Sequence, residues 1–215
     1  MVQGVKRQLV ECVSEGNVFD GAAIQSSALR DRETKLLQLP AEFLEDLLLS
    51  RVNGLVADPR GVRLANCMIT GSLDLTRAAM QPEQVDRAVL PLRCERVVFQ
   101  EPIRLDYATT GAICLTHCRL PAFHARGADI STELTLDDCT LYRRAVDVVS
   151  KHRVIDIDGA TIGGDFSATR LAFAEIAPDT PEAAATPTGA KGQDRGFGPV
   201  PYAQILIDAD NSKIS

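Results

Sequence analysis

Residues 113–136 read ICLTHCRLPAFHARGADISTELTL. Apolar or small residues fall there in pairs two apart: Ile113/Leu115, Cys118/Leu120, Phe123/Ala125, Ala128/Ile130 and Leu134/Leu136. The pairs step by five or six residues, which is neither the 3.6-residue period of a helix nor the simple alternation of an ordinary strand. Four five-residue sides make a square turn of about 20 residues, and stacked turns form a quasi-one-dimensional solenoid. Both members of a pair point inward and the residue between points out, so Arg119, Asp129 and Thr135 are free to be polar. Backbone hydrogen bonds then run from turn to turn, as in a parallel sheet.

The same signal extends in both directions. Upstream lie Val62/Leu64, Cys67/Ile69, Leu73/Leu75 and Ala78/Met80, a spacer from Gln81 to Ala88, then Leu90/Leu92, Val97/Phe99, Ile103/Leu105 and Ala108/Thr110. Downstream lie Cys139/Leu141, a looser Val146/Val148, Ile155/Ile157, Ala160/Ile162, Phe166/Ala168 and Leu171/Phe173. Cys67, Cys118, Cys139 and Ala160 read as one interior column of small groups, the usual place of a structural cysteine. The longer steps at Gly71 and at Gly163-Gly164 put glycine at corners, where positive φ is expected. The expected fold is all-β, a right-handed parallel quadrilateral β-helix over residues 53–175, with an α-helical N-terminal cap.

These pairs resemble the pentapeptide-repeat superfamily, most closely at Leu73-Asp74-Leu75-Thr76-Arg77 and Ala128-Asp129-Ile130-Ser131. More narrowly, DPRGVRLANCMITGSLDL (58–75), IDIDGATIGGDF (155–166) and AEFLEDLLLS (41–50) are similar to a family of degenerate pentapeptide-like actinobacterial proteins. The resemblance spans about Pro40 to Ser215 and implies the solenoid fold. Many such relatives carry an oxidoreductase label. Other members of the superfamily imitate duplex DNA and occupy type II topoisomerases. Thr135 and Arg104 stand where the consensus has Asp or Asn, so the ladder is irregular.

A solenoid end exposes core and unpaired strand groups unless something covers it. Val2, Val5, Leu9, Val10 and Val13 recur at helical spacing, Ala28 to Leu39 is expected as a second helix, and Pro40 fits a helix first turn. Phe43, Leu44, Leu47 and Leu48 then form a stripe facing the first turn, so residues 1–52 are expected to be the cap. Residues 176–203 are rich in Pro, Ala, Gly and Thr and are expected as a surface loop, glycines from Gly189 to Gly198 included. Ile207/Ala209 and Ser212/Ile214 begin a further turn in 204–215. That turn stops after two sides, so another chain covering the end, or a longer natural protein, is expected.

With 45% hydrophobic and only 5% aromatic residues and no Trp, the composition suits a thin aliphatic core. A formal charge of -6 offers no basic footprint for a nucleic-acid backbone. From Arg60 to Phe173 there are fourteen Lys/Arg and fourteen Asp/Glu, a near-neutral body that weighs against a DNA mimic. No signal-peptide h-region or membrane-length apolar run occurs, so a cytoplasmic protein with six reduced thiols is expected. Cys114, His117 and Cys118 have ligand chemistry, but Cys118 is expected to point inward and the other two outward, which excludes a common metal. No GxSxG, HExxH, Walker or dinucleotide-glycine pattern occurs, and no catalytic residue or cofactor is expected.

The outward acids Asp74, Asp106, Asp129, Asp137, Asp138, Asp156, Asp158 and Asp165 are the feature that a carbohydrate-active β-helix would use. Arg93, Arg104, Arg119 and Arg126 interleave with them, which makes a mixed-charge solvated face. The expected function is therefore a non-catalytic protein-binding scaffold, with Arg93, Arg104, Arg119, Arg126, Asp129, Asp156 and Asp158 as candidate partner contacts. Self-association through the C-terminal turn is a further expectation.

Overall fold

A computed structural model describes residues 3–28, 36–76, 89–143, 154–175 and 213–214. The expectations for Ala78/Met80, the 81–88 spacer, Val146/Val148, the 176–203 loop, Ile207/Ala209 and Ser215 lie outside them. The chain begins with α1 (Gln3–Glu15), β1 (Phe19–Asp20), α2 (Gly21–Ala28), β2 (Leu37–Pro40) and α3 (Ala41–Leu48). Strands follow: β3 (Val62–Ala65), β4 (Cys67–Thr70), β5 (Leu73–Asp74), β6 (Leu92–Glu95), β7 (Val98–Phe99), β8 (Ile103–Arg104), β9 (Thr109–Thr110), β10 (Ile113–Thr116), β11 (Arg119–Leu120) and β12 (Phe123–His124). The last are β13 (Asp129–Ile130), β14 (Leu134–Asp137), β15 (Thr140–Arg143), β16 (Ile155–Asp156), β17 (Thr161–Ile162), β18 (Phe166–Ser167), β19 (Ala172–Glu175) and β20 (Lys213–Ile214).

The strands form four sheets, in the orders β1-β3-β6-β10-β14-β18, β2-β4-β7-β11-β15-β19, β5-β8-β12-β16 and β9-β13-β17-β20. Every pairing between named strands is parallel. From β6 to β17 the chain visits the four sheets in fixed rotation, so strands pair with those of adjacent rounds, on both sides except at β9 and β16, which end their sheets. Ile113 accordingly lies between Leu92 and Leu134, 21 residues away on either side. Mostly parallel sheet with a few short helices is consistent with a β-helix.

The inward pairs of the sequence become columns. Val62, Leu92, Ile113, Leu134 and Phe166 stand in register in the first sheet, as do Leu64, Cys94, Leu115 and Leu136. Leu92, Ile113, Leu115 and Leu134 are fully buried, and one continuous cluster of buried apolar side chains joins all four sheets. Each such side chain contributes roughly 1.5–3 kcal/mol by leaving water. Period alone did not carry the phase through the spacer, however. The pair facing Val62/Leu64 is Leu92/Cys94 and not Leu90/Leu92. Ala160 also leaves the cysteine column: it precedes β17 in the fourth sheet, above Ala128, whereas Cys67, Cys118 and Cys139 belong to the second.

Corners explain the glycines in two ways. Gly71 has φ +86°, as its position suggested. Gly163 and Gly164 show no positive φ; a Cβ there would lie 2.4 Å from the Ser131 carbonyl oxygen and 2.1 Å from that of Thr132. Close approach of successive rounds is their reason.

The N-terminal segment differs from the expectation in where its helices fall: α2 occupies Gly21–Ala28, a stretch to which the sequence reading assigns no element before Ala28. Residues 37–39 of the anticipated 28–39 helix, together with Pro40, form β2 instead, pairing Leu37 with Cys67 and Leu39 with Ile69. The pair Leu37/Leu39 is the same two-apart inward signal, overridden in reading by its helical flanks. Strands β1 and β2 occupy the outer edges of the first and second sheets. At the edge of the third, α3 supplies Glu45, whose Oε1 accepts the Asp74 backbone N–H at 2.8 Å. Open strand edges invite unwanted pairing, and these elements fill them. Pro40 stands immediately before α3, and Leu44, Leu47 and Leu48 join Leu9 and Val13 of α1 in the core. Arg60 and Arg63 donate to the carbonyls of Glu15 and Gly16 at 2.9 and 3.3 Å, placing cations at the C-terminal end of α1.

Candidate functional site

The third sheet gathers most of the anticipated contact residues. Its outward ladder runs Asp74, Arg104, His124, Asp156, one residue from each successive round. Two residues further along the chain, at the corner, come Asp106, Arg126 and Asp158. The Arg126 backbone N–H donates to Asp106 Oδ1 at 2.9 Å, and its guanidinium Nη2 donates to Asp156 Oδ2 at 2.8 Å. This ion pair, with Asp106 and Asp158 close by, pushes the Arg126 guanidinium above its ordinary value.

Asp156 corrects the sequence reading. It sits on an outward strand position yet is only 6% exposed. Arg126 lies over it, and its Oδ1 accepts the Asp158 backbone N–H at 3.3 Å. It is a fixed anchor for Arg126 rather than a solvated contact. Arg104 and Asp129 are exposed, but Asp129 faces away on the fourth sheet between Thr109 and Thr161. Arg119 lies on the second sheet beside Val98 and Thr140. Arg93 lies on the first. The seven candidates thus divide among all four faces, and only Arg104, Arg126, Asp156 and Asp158 come together.

Arg93 belongs to a cluster that sequence reading missed. Its Nη2 donates to Glu133, and its Nη1 lies 3.2 Å from Cys114 Sγ. Cys114 was expected to point outward; it is 8% exposed beneath these two side chains. Burial and donation to Glu133 push its thiol up to about 12, so at neutral pH it is a protonated thiol and a poor nucleophile. Glu133 in turn is held below the ordinary carboxylate range by the Cys114 hydrogen bond and then by Arg93.

A second missed feature follows the corner after each first-sheet strand. Asn66, Arg96, His117, Asp138 and Arg170 occupy it once per round, all in the left-handed region with φ between 51° and 55°. Their side chains link along the edge. Arg96 Nε donates to Asn66 Oδ1 at 2.8 Å, Arg170 donates to both Asp138 oxygens, and His117 Nδ1 lies 3.9 Å from Asp138 Oδ2. Beside them Asp137 Oδ1 accepts from Ser167 Oγ at 2.7 Å and from the Thr169 N–H and hydroxyl at 2.9 Å each. These bonds hold Asp137 below its ordinary value, the Thr169 N–H first among them. The available signal was the Asp-Asp pair 137–138 standing one round before Ser167, Thr169 and Arg170.

Among the described residues, no group of three or more His, Cys, Asp or Glu side chains is placed to hold a metal ion. No helix of the described residues is long and apolar enough to cross a membrane. The chain matches no family model, no curated protein and no solved structure.

Proposed function

We propose that this chain is a right-handed four-sided β-solenoid, related to the pentapeptide-repeat proteins, that serves in the cytoplasm as a non-catalytic scaffold for a protein partner. The observation that carries the reading is the third-sheet ladder. Asp74, Arg104, His124 and Asp156 follow one another in register, and Arg126 is tied to Asp156 beside them. Arg126, held by its ion pair to Asp156, loses less side-chain entropy on docking than a free arginine, which favours recognition of a rigid complementary surface. Elements at the N-terminal edges keep the stack from pairing indiscriminately there.

The test is affinity capture of the full chain from its host, comparing the native protein with Arg104→Ala and, as a control on another face, Arg119→Ala. The expected result is one stoichiometric protein, reduced at least about tenfold by Arg104→Ala and unchanged by the control. Equal recovery with Arg104→Ala would remove the third sheet as the docking face. A type II topoisomerase as the captured protein would favour the DNA-mimic reading.

A further inference from the structure

The six cysteines are free thiols, and five of them are buried. Cys118 and Cys139 differ from the rest by standing side by side. Arg119 pairs with Thr140 in register, and the Thr140 N–H donates to the Cys118 carbonyl at 2.8 Å, so the two cysteines are direct neighbours in adjacent rounds. Both side chains face the core, at 0% and 1% exposure. Neighbouring strands lie about 4.8 Å apart, inside the Cα window of a disulfide but wider than its usual Cβ separation. A bond formed there is strained, and strained disulfides are the easily reduced ones.

We propose that Cys118 and Cys139 form a reversible, peroxide-driven disulfide that staples two successive rounds of the fold. Each thiol lies directly behind a corner, exposed at His117 and half-buried at Asp138: Cys118 Sγ is 3.4 Å from the Thr116 carbonyl, and Cys139 Sγ is 3.5 Å from that of Asp137. The residues between, His117 and Asp138, hold left-handed conformations that are costly for side chains other than glycine. Local opening of this corner, against the bonds that Ser167, Thr169 and Arg170 make to Asp137 and Asp138, is the route by which a small oxidant reaches the sulfurs.

The chemistry needs hydrogen peroxide or another small hydroperoxide. The Cys139 thiolate attacks one peroxide oxygen, the O–O bond breaks, and hydroxide leaves and takes up the thiol proton as water. The sulfenic acid so formed is attacked by Cys118; its S–O bond breaks, the S–S bond forms, and the hydroxyl leaves with the Cys118 proton as a second water. Two thiols and one peroxide thus give one disulfide and two waters. The Cys118 S–H donates toward Cys139, which pulls the Cys139 thiol down against its burial, while burial holds Cys118 protonated. Both S–H groups also have backbone acceptors, Cys118 at the Cys94 and Thr116 carbonyls and Cys139 at those of Leu115 and Asp137, so the geometry serves either order of attack and the product disulfide is the same.

The experiment treats the full native chain with hydrogen peroxide, quenches it, and alkylates the thiols under denaturing conditions before peptide mapping. The expected result is loss of two alkylatable thiols of the six, recovery of a linked Cys118–Cys139 peptide pair, and reversal by dithiothreitol. In Cys118→Ala, dimedone should trap a sulfenic acid at Cys139. Six thiols remaining alkylatable, or oxidation confined to Cys12 or Cys114, would overturn the proposal. The wild-type map decides it even where the variant fails to fold.

Discussion

Thr110 occupies an inward position, beside Ile130, and is 1% exposed. Its hydroxyl has no hydrogen-bond partner among the described residues. A buried polar group without a partner costs free energy that a methyl of the same shape does not. Thr110→Val should therefore raise stability by about 1 kcal/mol, read as a higher urea midpoint at unchanged m-value. Gly164 is the opposite case. A Cβ there meets the Thr132 carbonyl oxygen, so Gly164→Ala should cost about 1–3 kcal/mol in the same assay. Asp137 gives a pH signature. Its carboxylate titrates below its unfolded-state value, so its contribution is complete above the ordinary Asp range and fades as pH falls through and below that range. Asp137→Asn should be less stable than the native chain at neutral pH, and the gap should shrink as pH falls through and below the ordinary Asp range. A gap of constant size would show that the hydrogen bonds do not depend on the charge.

At the scale of elements, the edge-filling role of α3 rests on a single hydrogen bond that can be removed. Glu45→Ala frees the Asp74 N–H at the rim of the third sheet and should cost about 1 kcal/mol by chemical denaturation. It should also raise the tendency to aggregate, measured by light scattering. Strand identity was legible wherever inward residues kept their two-apart spacing, as from Ile113 to Leu136. It was lost where the count restarted. Leu90/Leu92 was chosen over Leu92/Cys94 because both satisfy the spacing, and only pairing with Val62 and Leu64 decides between them. β2 was hidden because Leu37 and Leu39 lie between two helical patterns. Asp156 and Cys114 were misjudged for one reason: an outward position fixes direction, while burial depends on what a neighbouring round lays over it. The partnership of Arg93 with Glu133, 40 residues away, carries no local signal at all.

For the whole molecule, the sheets tie each round only to its neighbours, so stability should vary along the stack. Amides of β10 and β14, which have partners on both sides, should exchange most slowly, and those of β19, at the end of its sheet, faster. Uniform protection would instead indicate one cooperative unit. The most direct test of the account is a backbone NOE map of the full chain in solution. Parallel stacking predicts contacts linking Ile113 to both Leu92 and Leu134, and Leu115 to both Cys94 and Leu136, with the same order along the second sheet at Arg119 and Thr140. Close Hα–Hα contacts of antiparallel pairs among these residues, or a register shifted by one position, would contradict it.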